Sequence, residues 1–175
     1  ETETARRFVR FAHRWGEISH EVFVWTYVTN FLHYFQPYPN LDAMFDDFGF
    51  YAEAGVTGLM LQGDAGPSKG CGELAELKSY VFSRLMWDHT RDGWELVDEF
   101  LRLYYLEAAE PIRDYLDHLH EPFRRHRDLS FSLYEPLLHP VFTDEWIDWA
   151  RELFDEAEHR VESDPEVLER VRAAR

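Results

Sequence analysis

Val22-Phe23-Val24-Trp25-Thr26-Tyr27-Val28 and Gly55-Val56-Thr57-Gly58-Leu59-Met60-Leu61 are the stretches on which the reading of this chain turns. Both are short runs rich in β-branched, aromatic and aliphatic residues, which suits strands. Each ends in a polar cluster: Thr29-Asn30-Phe31-Leu32-His33-Tyr34 after the first, Gln62-Gly63-Asp64 after the second. Between them, 41–54 places Leu41, Met44, Phe45 and Phe48 at helical spacing, and Gly55 is a natural stop. Strand, helix and strand in about 40 residues make a βαβ unit with parallel strands. Functional side chains in such sheets gather where strands end and loops begin.

Outward from that unit, 6–15 reads as a helix with Phe8, Phe11, Ala12 and Trp15 on one face, closed by Gly16. A glycine-rich loop covers 63–72. From Glu73 the pattern is helical: 73–87, 93–105, 108–126, 143–163 and 165–174, the last opened by Ser163-Asp164-Pro165-Glu166. A brief extended segment fits 129–134, and Pro122 argues for a break in its helix. Periodicity predicts that Trp87, Trp94, Phe100, Tyr104, Trp146 and Phe154 are buried.

Two parallel strands leave their outer edges unpaired. The expected fold class is therefore α/β: the C-terminal part of a (β/α)8 TIM barrel followed by an α-helical region, in a fragment of a larger protein. The division falls at 1–72, the last strands and helices of the barrel, and 73–175, the helical region. The remaining strands would come from upstream residues or another chain.

A net charge of −16 disfavours nucleic acid as a partner, because phosphate contacts need a basic face. Only Lys69 and Lys78 among 18 basic residues are lysine, which fits a GC-rich or salt-adapted source and a solvated acidic surface. No apolar run approaches the ~20 residues of a membrane span, and no signal peptide is visible. Secreted and cytoplasmic settings both stay open. The single cysteine, Cys71, rules out an internal disulfide and reads as a loop thiol.

Trp25-x-Tyr27-Val28-Thr29-Asn30-Phe31, then Pro37-x-Pro39-Asn40-Leu41, resembles the W-D-Y-x-x-N-F … P-F-P-N segment of the DUF4838 family. Gly55-Val56-x-Gly58 with Gln62-Gly63 resembles its G-V-x-G-x-x-x-Q-G segment. Glu73-Leu74-x-x-Leu77-x-x-Tyr80, Leu85-Met86-Trp87-Asp88 and Tyr104-Tyr105 look like its later helical motifs, over about residues 15–115. Thr26 stands where the family tends to carry Asp, and Leu106 where it usually has Gly. The family is similar to glycoside hydrolases of the family-20 and α-glucuronidase kind. The resemblance implies a barrel and a carbohydrate-active hydrolase acting on a glycan.

Glycosidic hydrolysis uses two carboxyl groups, ~5 to ~9.5 Å apart. Asp64, just past the second strand, and Glu73, at the far end of the glycine loop, are the local catalytic candidates. Their bland readings are a turn aspartate and a first-turn helix residue favoured by the dipole. Trp25 and Tyr27 share one side of a strand, and Asn30 and His33 lie beyond its end. With Gln62 they form the candidate substrate-binding set, since aromatic faces stack on sugar C–H surfaces and a few polar groups orient the ligand. Trp25 as barrel filling is the plain alternative, and Tyr34 and Tyr38 suit a rim. No metal site or cofactor is expected: His118, His120 and His126 read as a solvated helix surface, and no phosphate-binding glycine motif occurs. A carbohydrate-binding module without chemistry and a helical interaction domain are the competing function classes.

Overall fold

The computed structural model describes residues 3–64, 72–126, 129–137 and 139–175. Helix α1 (Glu3–Ile18) leads into strand β1 (Phe23–Tyr27), helix α2 (Leu41–Glu53) and strand β2 (Gly58–Gln62). Five helices follow: α3 (Ala75–Trp87), α4 (Gly93–Tyr104), α5 (Ala109–Arg125), α6 (Asp144–Arg160) and α7 (Pro165–Ala174), with a 3-10 turn at Leu106–Ala108. The two strands pair in parallel, Trp25 opposite Met60 and Tyr27 opposite Gln62, as the βαβ pattern requires.

The barrel expectation is overturned. Among the described residues there is one two-stranded sheet, and helices make up most of the rest. A βαβ pattern fixes strand direction but not how many strands join the sheet. The segment expected to be extended at 129–134 contains no strand; instead the Leu133 carbonyl accepts the Phe31 N–H at 2.8 Å. Helix α5 also runs through Pro122 rather than breaking there.

Local chemistry accounts for the element ends. Gly55, at φ 77, ends α2: its N–H donates to Ala52 O at 3.1 Å and that of Val56 to Tyr51 O at 2.9 Å. Asp92, Thr143 and Asp164 cap α4, α6 and α7 by accepting backbone N–H groups. One apolar cluster runs from Val28 through Leu41, Met44 and Phe48 of α2 to Val171 of α7, so both halves of the chain share a core. Helix α1 stands outside it. Gly16 lies so close to the Ala54 carbonyl that an added Cβ would sit 2.0 Å from its oxygen, while Phe8, Phe11, Trp15 and Ile18 face solvent.

Phe100, Trp146 and Phe154 are buried, and Trp94 and Tyr104 half-buried. Trp87 is 93% exposed, against expectation. The buried stripe of α3 is Leu77, Val81 and Leu85, and Trp87 falls two residues past it, about 200° round the helix.

Two titrating groups near α2 act in opposite senses. Burial pushes the His120 imidazole down from 6.5 to about 4. The unfolded chain thus binds more protons in that interval, and His120 withdraws stability as pH falls through it. Burial, with Asp46 beside it, pushes the Asp47 carboxyl up from 3.8 to about 6. Here the folded protein binds more protons, so Asp47 adds stability as pH falls through that interval. Asp47→Asn should therefore steepen the loss of stability on acidification between these values, and His120→Asn should flatten or reverse it. Urea midpoints measured across the interval check this; unchanged slopes in both variants would refute it.

Candidate functional site

The pleat places Phe23, Trp25 and Tyr27 on one sheet face with Met60 and Gln62, by the register Phe23↔Gly58, Trp25↔Met60 and Tyr27↔Gln62. Among the described residues no helix covers this face: Trp25 is 60% exposed, Tyr27 40% and Met60 51%. The Trp25 indole N–H donates to Gln62 Oε1 at 2.9 Å, which fixes the plane of an otherwise open ring. The reverse face carries Leu59 and Leu61, packed on the core.

A groove of about 570 Å³ lies between β2 and α3, lined by Thr29, Met60, Asp64, Glu73, Lys78 and Phe82 among others. Met60 borders both this groove and the aromatic face. Asp64 and Glu73 thus line one concavity at the C-terminal end of β2. Asp64 is half-buried and lies beside Gly72, where an added Cβ would sit 3.8 Å from its Oδ2.

Glu73 is fixed at both ends. Its backbone N–H donates to Tyr34 O at 2.8 Å, and its carboxylate pairs with the Lys78 ammonium, both side chains 7% exposed. The next residue, Leu74, has φ 45, a left-handed conformation that costs a leucine roughly 1–3 kcal/mol. Lys78 also donates to Tyr38 O at 3.4 Å and lies over the Tyr38 ring at 5.5 Å. Burial, with Glu135 nearby, pushes the Tyr38 phenol up to about 12, so it stays neutral. Tyr38 is buried rather than a rim residue.

Asn30 and His33 lie apart from this groove. Asn30 is wholly buried, with its amide engaged inside the chain. Nδ2 donates to Gln36 Oε1 at 3.2 Å and to Glu135 O at 2.9 Å, and Oδ1 accepts the N–H groups of Leu32 and His33. It shapes the loop after β1 and joins it to the loop before α6. His33 lines a different cleft, against α6.

Sequence reasoning missed two polar residues. Lys78 sits on the apolar stripe of α3, one turn after Leu74 and one before Phe82, a position that signals a buried, paired lysine. His120 was read as solvated and is 1% exposed. It follows Leu116 by one turn; Nδ1 bonds the Leu116 carbonyl at 2.8 Å and Nε2 accepts the Leu41 N–H at 3.3 Å. Cys71 lies outside the described residues, and among those described no group of three His, Cys, Asp or Glu could hold a metal ion. No described helix is long and apolar enough to cross a membrane.

The Glu73–Lys78 pair makes a sharp expectation. Lys78→Met should cost about 3–5 kcal/mol by stranding a buried carboxylate, whereas Lys78→Met combined with Glu73→Leu should cost much less. Urea unfolding of the single and double variants measures both; equal losses would show that the pair is not coupled.

The family model described as a domain of unknown function, DUF4838, matches residues 1–117 of the 175. No curated protein and no solved structure matches the chain. The matched span contains the aromatic sheet face, the groove with Asp64, Glu73 and Lys78, and α4, and on that match the chain belongs to the DUF4838 family.

Proposed function

We propose that the chain contacts a glycan at the open end of its sheet, as the saccharide-binding part of a carbohydrate-active hydrolase. The observation that carries this reading is the pair Trp25 and Tyr27, exposed on one strand face, with the Trp25 ring held in place by Gln62. A fixed, solvated indole offers a flat apolar face to sugar C–H groups and loses little rotamer entropy on binding. Met60 extends that platform into the groove where Asp64 lies.

Within the hydrolase reading, Asp64 is the proton-transfer candidate and Glu73 supports the groove. Glu73 is committed to Lys78 and nearly buried, which suits holding the loop rather than meeting a substrate. The same pairing favours a second reading, glycan binding without cleavage, because it commits the Glu73 carboxylate to Lys78, whereas hydrolysis uses two carboxyl groups that both act on the substrate.

Trp25→Ala should weaken saccharide binding about tenfold with the fold intact, as expected for loss of a stacking surface worth roughly 1–2 kcal/mol. Binding is read by calorimetry on saccharides found in a glycan screen, and turnover on chromogenic glycosides. Asp64→Asn should lower turnover while sparing affinity if the protein is a hydrolase. Binding without measurable turnover selects the second reading. Unchanged affinity in Trp25→Ala, or no saccharide bound by the folded protein, contradicts the proposal.

A further inference from the structure

A second cleft, of about 520 Å³, lies between the loop after β1 and helices α5 and α6. Its walls are aromatic and aliphatic: Tyr34, Phe35, Phe142, Trp146 and Ile147 are among them, with Phe154 and Tyr115 at the base. The volume falls within the range of small-molecule sites, roughly 300–1,000 Å³.

Its polar groups are few and of one sign. In a chain of net charge −16, the lining contains Arg151 and Arg175 and, among the described residues, no Asp or Glu. Arg175 is occupied, with Nη1 2.7 Å from both Asp155 and Glu158. Among the described residues Arg151 has one surface pair, with Asp148 at 3.2 Å, its side chain 65% exposed, an interaction worth little in water. His33, on the opposite lip, makes no side-chain hydrogen bond among the described residues. The Trp146 indole N–H, on a residue only 9% exposed, likewise finds no acceptor among them.

We infer that this cleft binds a small carboxylate with an aromatic or branched apolar body. The apolar part fills the space against Phe142 and Trp146, and the carboxylate meets Arg151 at the lip, with His33 as a further donor. An apolar body suits the aromatic and aliphatic walls, and an anionic head suits the weakly paired Arg151 guanidinium at the lip. The cleft's lining shares no residue with the groove beside β2 or with the Trp25–Tyr27 face, so each proposal can fail without the other.

The test uses 3-phenylpropionate and its neutral analogue 3-phenylpropan-1-ol, titrated into the ¹⁵N-labelled protein while the Trp146 indole resonance is followed. The acid should give a saturable shift, and the alcohol a weaker one. Arg151→Ala, at an exposed position that leaves the fold intact, should weaken the acid at least about fivefold and leave the alcohol unchanged, as loss of a charged hydrogen bond predicts. Ile147→Ala should weaken both, by removing apolar wall. No saturable shift from the acid at about 10 mM, where even a weak site of that dissociation constant would be half filled, overturns the inference. So does binding of acid and alcohol with equal strength, or an acid titration that Arg151→Ala does not alter.

Discussion

The carboxylate of Asp42, in the first turn of α2, holds the two parts of this chain together. Its Oδ1 accepts the Trp94 indole N–H at 2.7 Å and its Oδ2 the Arg124 guanidinium at 2.8 Å, linking α2 to α4 and α5. Burial raises the Asp42 pKa, but the hydrogen bonds from Arg124 and Trp94 outweigh it and hold the group below the ordinary carboxylate range. The Trp94 ring lies between the guanidinium groups of Arg113, at 4.3 Å, and Arg124, at 4.7 Å, and meets His120 and Phe45 edge-on. His120 then takes the Leu41 N–H, one of the donors left orphaned where a helix begins. Since α2 is the crossover between the strands, whatever fixes α2 on the helices also fixes the sheet.

That anchoring explains an otherwise improbable arrangement. A two-stranded sheet has little independent stability. Here its inner face rests on the shared core through Leu59 and Leu61, and its outer face stays open with Phe23, Trp25, Tyr27 and Met60 in solvent. The aromatic face and the groove beside β2 are therefore presented by a scaffold that does not need to cover them. The buried Glu73–Lys78 pair adds a second fixed point at the groove, between the start of α3 and the loop that leads into α2.

Most elements could be read from the residues, because the apolar spacing, Gly55, Asp164 and Pro165 are local signals with local consequences. The barrel could not be tested in the same way. Strand pairing is non-local, and nothing within Val22–Leu61 specifies how many neighbours its strands have. Parallel pairing and the shared face of Trp25 and Tyr27 followed from pattern; the separation of Asn30 and His33 from Gln62 and Asp64 depended on how the loop after β1 folds. Trp87 is exposed because it falls off the Leu77–Val81–Leu85 stripe of α3, and His120 is buried because it lies one turn after Leu116 on the stripe of α5. Leu106 is instructive in the other direction: its φ of 50 lies in the left-handed region that favours glycine, so the backbone there asks for a glycine-like conformation.

The account depends most on the Asp42–Trp94 contact acting as a tie between the βαβ unit and the helices. A double-mutant cycle of Asp42→Asn and Trp94→Phe, with stabilities from urea unfolding, measures that tie directly, since phenylalanine keeps much of the ring and removes the N–H. The predicted outcome is a coupling energy of about 1 kcal/mol or more between the two positions. Strictly additive losses would contradict this tie.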